Sequence, residues 1–275
     1  MSKTLYASDL DGTLLTSGAA LCPHVRDALN KLIAGGLLFT FATARSYQSA
    51  GKITHGLDLR IPVVTYNGTF TVNPKTRLPI EARMLDAEAA RDLVTYLKGE
   101  RVPTLVYAYV DGTERVSWLL GNESRQIKDY LSERKDDPRM RGVETVDALF
   151  EGDIIYLTIL SCTSKMHRAI SIMADNPDLR HIMYRDIYGD HDWWLEVQHA
   201  DASKAAALTA LKKSVGADRL ITFGDNINDI PMFKISDACY AVANAHEDVK
   251  RAATGIIASN DDHGVLRWLE ENVHL

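Results

Sequence analysis

Short apolar runs of strand length alternate with amphipathic segments of helix length along most of the chain. This alternation predicts an α/β fold with a mainly parallel sheet. The runs at 4–8, 37–42, 62–66 and 220–223 stop, respectively, at Asp9, Thr43, Asn67-Gly68 and Gly224-Asp225. A helix is predicted over 23–32, and 238–242 and 255–257 read as two further short strands. In an open parallel sheet the carboxyl ends of the strands form the ligand crevice, so four remote segments are expected to converge on one site.

The texture changes between residues 83 and 187. The pattern there predicts helix over 86–97, strands over 104–109 and 115–119, helix over 123–134, strand over 154–160, helix over 164–174 and strand over 181–185. That is enough for a second, smaller α/β domain. With 275 residues and roughly 150 per domain, about two domains are expected. The expected division is a core of 1–82 and 188–275, with 83–187 inserted between linkers near Pro79 and Asp190.

Composition removes several function classes. Thirty-one Lys plus Arg against 37 Asp plus Glu leave a net charge of −6, which argues against nucleic acid or anionic lipid as partners held by bulk charge. Cys22, Cys162 and Cys239 are far apart and form no CxxC pair, which suits reduced thiols rather than structural zinc. No apolar run reaches the roughly 18 residues of a membrane span, and Asp9 and Asp11 interrupt any signal-peptide core. A cytoplasmic address is expected.

The first candidate chemistry is Asp9-Leu10-Asp11-Gly12-Thr13, directly after a strand. In extended chain, carboxylates two positions apart point the same way, while Gly12 permits a tight turn. A plain strand-to-loop turn uses the same residue types. A calcium EF-hand does not fit, because Leu14 stands where that loop needs its glycine. The second cluster, Gly224-Asp225-Asn226-Ile227-Asn228-Asp229, also follows a strand, and helix capping alone would account for its acids. Both clusters in one crevice change that balance, since like charges about 4 Å apart repel by roughly 4 kcal/mol at an effective dielectric near 20. A cation is then required, and an all-oxygen donor set without His or Cys suits a hard divalent ion, magnesium foremost.

Two further segments carry complementary groups. Thr43-Ala44-Arg45-Ser46 follows the second strand, where a hydroxyl beside backbone amides can hold a phosphoryl oxygen, although Ser46 also fits as a plain helix cap. Lys204 opens a helical run that extends through Leu211, against the macrodipole's preference for acids. That mismatch disappears if the lysine and the helix terminus face one anion. Asp9, Asp11, Asp225 and Asp229, balanced by Lys204 and one divalent ion, leave a single negative charge, which protonating Asp11 removes. Such a constellation supplies what phosphoryl transfer needs.

Asp9-x-Asp11-Gly12-Thr13, Thr43, Lys204 and Gly224-Asp225-x-x-Asn228-Asp229 resemble, in order, the four motifs of the haloacid dehalogenase (HAD) superfamily. Asn67-Gly68, Leu195-Glu196-Val197, Ile230-Pro231-Met232 and Ser259-Asn260-Asp261-Asp262-His263-Gly264-Val265 resemble its Cof-type sugar-phosphatase branch. Ala44 and Ala205 stand where that pattern has glycine. The resemblance implies a Rossmann-like core with an inserted class IIB α/β cap acting as a lid. It makes Asp9 the nucleophile, Asp11 the general acid and base, and Thr43 and Lys204 the remaining catalytic groups. The implied phosphate-binding set is Leu10, Gly12, Thr43, Ala44, Arg45, Lys204 and Asn228. Magnesium would be held by the Asp9 carboxylate, the Asp11 main-chain carbonyl and Asp225, with Asp229 at or near it. The implied substrate is a small phosphorylated metabolite, sugar phosphates first, acted on by a monomer or weak homo-oligomer. A phosphomutase or phosphotransferase on the same core is an alternative. A receiver-like signalling module is another, though it lacks the second acid and the lid. Tyr107, Tyr109, Arg185, Trp193-Trp194 and Asp190-His191-Asp192 are the lid residues considered, with the aromatics expected in the core and the acidic loop solvated.

Overall fold

The computed structural model describes residues 3–161, 163–174, 176–185 and 193–274. The chain divides into two compact units, Met1–Ala82 with Ala202–Leu275, and Arg83–Asp201.

The first unit opens with β1 (Thr4–Ser8), α1 (Pro23–Ala34), β2 (Leu38–Phe41), α2 (Tyr47–Ile53), β3 (Val63–Thr65), β4 (Phe70–Val72) and β5 (Pro79–Ala82). Pro23 stands at the first turn of α1, where no intrahelical N–H is needed, and the helix buries Val25, Leu29 and Ile33 at four-residue spacing. Each such aliphatic side chain contributes about 2–5 kcal/mol by the cost of truncation to alanine. A three-stranded antiparallel sheet, β3-β4-β5, closes this first segment, and a parallel bridge from Ala42 to Val64 joins it to β2.

The second unit comprises α3 (Ala87–Gly99), β6 (Thr104–Val110), β7 (Thr113–Leu119), α4 (Arg125–Ser132), β8 (Met140–Val143), α5 (Val146–Leu149), β9 (Asp153–Ser161), α6 (Thr163–Met173), β10 (Leu179–Arg185) and β11 (Trp193–His199). Its six strands lie in the order β10-β11-β9-β6-β7-β8, antiparallel except for β7 with β8. Alternate residues Val106, Ala108, Leu157, Ile159, Leu195 and Val197 share one core with Leu93, Leu97, Met166 and Ala169 from α3 and α6. The pattern placed the return to the core near 188. Instead β11 pairs with both β10 and β9, so the crossing falls between Asp201 and Ala202.

The first unit resumes with α7 (Lys204–Ser214), β12 (Arg219–Gly224), α8 (Ile230–Lys234), β13 (Ala238–Val242), α9 (Glu247–Ala252), β14 (Gly255–Ile257) and α10 (Gly264–Asn272). Its main sheet runs β14-β13-β12-β1-β2, parallel throughout. From β1 the chain moves outward to β2, and after the second unit it moves the other way through β12, β13 and β14. The order therefore reverses between β1 and β12, and open α/β sheets bind ligands at the carboxyl ends of such a switch point.

Candidate active site

β1 and β12 are neighbours in register, Ser8 opposite Phe223, so Asp9 and Asp225 leave the sheet side by side. The Asp9 N–H still donates to the Phe223 carbonyl at 2.9 Å. Beyond it the chain makes one wide turn, closed by the Leu15 N–H on the Leu10 carbonyl at 2.9 Å. Gly12 takes φ +73° in this turn, and a Cβ there would lie 2.4 Å from Asp225 Oδ2. Only glycine satisfies both constraints.

Lys204 is the first residue of α7, capped by Ser203, whose side chain accepts the Ala206 N–H at 3.0 Å. Its Nζ donates to Asp9 Oδ1 at 2.6 Å and Asp229 Oδ1 at 2.8 Å, and the residue is 3% exposed. The cation's unfavourable position on the helix dipole is offset by two buried charge-assisted bonds. Asp229 also accepts, on Oδ2, the N–H groups of Asp225 at 3.0 Å and Asn226 at 3.1 Å. One carboxylate thus both caps its turn and faces the lysine, so the two sequence readings of this acid hold together. Gly68 seats the start of α7: its φ is +100°, and a Cβ would come 2.2 Å from the Ser203 carbonyl oxygen.

One carboxylate oxygen each from Asp9, Asp225 and Asp229 lies within 4.8 Å of the others. Thr13 Oγ1 donates to Asp225 Oδ1 at 2.9 Å. Burial opposes the Lys204 ammonium, yet Asp229 and Asp9 more than offset it, and its pKa is raised. Burial pushes the Asp9 carboxyl well above its usual range against the pull of Lys204, reinforced by Asp229 and Asp225. Burial and the Asp229 charge push Asp225 up to about 6. Three converging hard oxygen donors with one ammonium among them fit a divalent cation, which would restore the carboxylates to their ionised form.

Asp11 lies outside that trio. Arg45 grips its carboxylate with two bonds, Nε to Oδ2 at 2.7 Å and Nη2 to Oδ1 at 2.5 Å, and also reaches Ser49 Oγ at 3.1 Å. Thr43, 1% exposed, accepts the Arg45 N–H on Oγ1 at 3.1 Å. Asn228 Nδ2 donates to Asn67 Oδ1 at 3.4 Å. Leu10 is fully buried, and Ala44 is exposed. The sequence reading missed Thr13 as the partner of Asp225 and Arg45 as the partner of Asp11. Thr13 stands within the first motif and Arg45 adjoins the second, but neither pairing has a spacing signal across more than thirty intervening residues.

In the second unit, Tyr107 is 6% exposed, stacks on Tyr156 at 4.1 Å and meets the Tyr130 hydroxyl at 2.9 Å, so this aromatic is core packing. Trp194 lies 5.9 Å from the Tyr130 ring. Asp190-His191-Asp192 lies outside the described residues.

A sequence profile of the haloacid dehalogenase-like hydrolases matches residues 6–269. The chain belongs to that family. The family match removes the receiver-like alternative. This HAD-like hydrolase is 25% identical over 283 residues to the 5-amino-6-(5-phospho-D-ribitylamino)uracil phosphatase YwtE of Bacillus subtilis, covering 96% of both chains. It is 23% identical over 282 residues to the pyridoxal phosphate phosphatase YbhA of Escherichia coli, covering 98% of both. Its fold is similar to a solved structure from Thermotoga maritima, with a TM-score of 0.79 and 24% identity over 100% of this chain and 99% of that one. Among the described residues, no helix of the hydrolase is long and apolar enough to cross a membrane.

Proposed function

We propose that the enzyme is a magnesium-dependent phosphatase of small phosphorylated metabolites, sugar phosphates among them, working through an aspartyl-phosphate on Asp9. The observation that carries this reading is the Asp9 carboxylate, fixed through Oδ1 by buried Lys204 beside Asp225 and Asp229. Asp9 and Asp225, with the Asp11 carbonyl, would hold the ion, and Asp229 sits within reach. A divalent cation held there would supply positive charge to neutralise the acidic cluster, so that a phosphate dianion would not be repelled.

An oxygen of Asp9 attacks phosphorus as the bond to the leaving alcohol breaks, and Asp11 gives that alcohol its proton. Water then attacks the phosphoryl group, Asp11 takes the water's proton, and the Asp9 oxygen–phosphorus bond breaks to release phosphate. Thr43 and Lys204 receive the phosphoryl oxygens, and Lys204 keeps Asp9 in line. The two-bond grip of Arg45 holds Asp11 as a carboxylate, the form that takes the water's proton, and one of these bonds has to open when Asp11 carries the proton it gives to the alcohol. The unit Arg83–Asp201 is proposed as the lid that selects the leaving group. The names of the two relatives give phosphorylated ring compounds as their substrates, one bearing a ribityl chain, which supports a small-metabolite range.

A phosphometabolite panel with magnesium and with EDTA tests this reading. Phosphate release that requires magnesium and disappears in Asp9→Asn is expected. Turnover by folded Asp9→Asn at the parent rate would remove the nucleophile assignment. Asp11→Asn should cost more against alkyl phosphates, which need a proton, than against nitrophenyl phosphate.

A further inference from the structure

The segment Ser259-Asn260-Asp261-Asp262-His263-Gly264 has no part in the chemistry just described, yet its local geometry is tightly specified. Ser259 Oγ donates to Asp262 Oδ2 at 2.6 Å and accepts the Asp262 N–H at 3.1 Å. His263 takes φ 60°, and a Cβ on Gly264 would lie 1.9 Å from the Ala258 carbonyl oxygen.

From this loop a chain of hydrogen bonds runs onto the turn that carries Asp11. Asn260, 3% exposed, donates through Nδ2 to the Leu15 carbonyl at 2.9 Å. Its N–H donates at 3.0 Å to Asn244 Oδ1, and Asn244 Nδ2 donates to the Gly12 carbonyl at 2.8 Å. Asp261 accepts both the N–H and the hydroxyl of Ser17, at 2.8 and 2.6 Å. The turn is therefore tied at Gly12, at Leu15 and again at Ser17. Gly12 takes φ +73°, a conformation that L side chains rarely adopt, and the bond on its carbonyl fixes the Gly12–Thr13 peptide plane, one residue beyond Asp11.

We propose that Asn244 and Asn260 are positioning residues that hold the 10–15 turn, and with it Asp11, against the sheet. Neither touches the reacting atoms in this role. Their effect on turnover rests on the reading of Asp11 as general acid, whereas their hold on the turn does not.

The test uses the full-length protein with Asn244→Ala, whose site is exposed and tolerates truncation, and Asn260→Asp, which keeps shape but removes the donor to Leu15. Metal-free hydrogen exchange of the peptide spanning 10–17 should accelerate about three- to tenfold, the population change for losing one hydrogen bond, while β12 exchange stays unchanged. For Asn244→Ala, kcat should fall about tenfold or more for an alkyl phosphate and much less for nitrophenyl phosphate, at little-changed KM, because a slightly misplaced acid matters most where protonation is needed. Unchanged exchange in 10–17 would overturn the proposal. So would faster exchange with equal loss for both substrates. If the parent hydrolyses no phosphomonoester, the phosphatase reading fails, and the exchange result alone decides whether the turn is held this way.

Discussion

Replacing Lys204 with methionine keeps length and apolar volume while deleting the ammonium between Asp9 and Asp229. Each ionised pair in the Asp9, Asp225 and Asp229 trio, with oxygens within 4.8 Å, repels by about 3.5 kcal/mol at an effective dielectric near 20. In the parent, Nζ at 2.6 and 2.8 Å from two of them offsets that repulsion. Removing one member of a buried charge set costs about 3–5 kcal/mol. At about 2–4 °C per kcal/mol for a chain of this order, the transition of the first unit should fall by about 10 °C in EDTA at pH 7.5. Calorimetry with and without magnesium measures it. Magnesium should restore part of the stability and none of the activity, because a divalent ion replaces the charge but not the bond that fixes Asp9. The gap should narrow toward pH 5, where Asp225, at about 6 in the metal-free parent, has taken a proton. A Lys204→Met transition equal to the parent's in EDTA at pH 7.5 would refute the electrostatic reasoning.

The same carboxylate sets a pH dependence in the parent. Its folded pKa, about 6, is raised above the ordinary 3.8, so the folded state binds the extra proton, and metal-free stability should rise as pH falls from 7.5 toward 5. Magnesium-induced stabilisation should shrink over the same interval because proton and metal compete, and thermal shifts across that series at fixed magnesium check both signs. Gly12→Ala should abolish the magnesium-induced shift and lower kcat by at least about a hundredfold, since its Cβ meets Asp225 Oδ2 at 2.4 Å. Gly68→Ala, at φ +100° and against the Ser203 carbonyl, should destabilise by about 2–4 kcal/mol in denaturant titration and slow turnover by displacing Lys204.

Much of this arrangement was legible in the chain because each part rests on a local rule. Strand ends at Asp9, Thr43 and Asp225 follow from apolar runs meeting polar residues, and β1 lies at the predicted 4–8. The lysine opening α7 stood out because it contradicts the dipole preference, and its two carboxylate partners resolve the contradiction. What escaped was non-local or short. β8 and α5 span four residues each, too few for periodicity to show. The bulged hairpin of β4 and β5 carries exposed Ile80 and a strand-initial proline, which hide its alternation. The pattern alone groups β11 with the core because its neighbours in space, β9 and β10, are set by pairing rather than by its own sequence. Arg45 on Asp11 and Asn260 on Leu15 are contacts between remote segments, which no spacing along one chain reveals.

In the proposed reaction Asp9 becomes covalently phosphorylated. The direct measurement is acid quench of the magnesium enzyme during turnover of a good phosphomonoester, followed by mass spectrometry of the peptide spanning β1 and the turn after it. One added phosphoryl group on Asp9 is expected, labile to hydroxylamine and missing from Asp9→Asn. A parent enzyme that turns over steadily while this peptide stays unmodified at every quench time, with the label found on another residue, would contradict it.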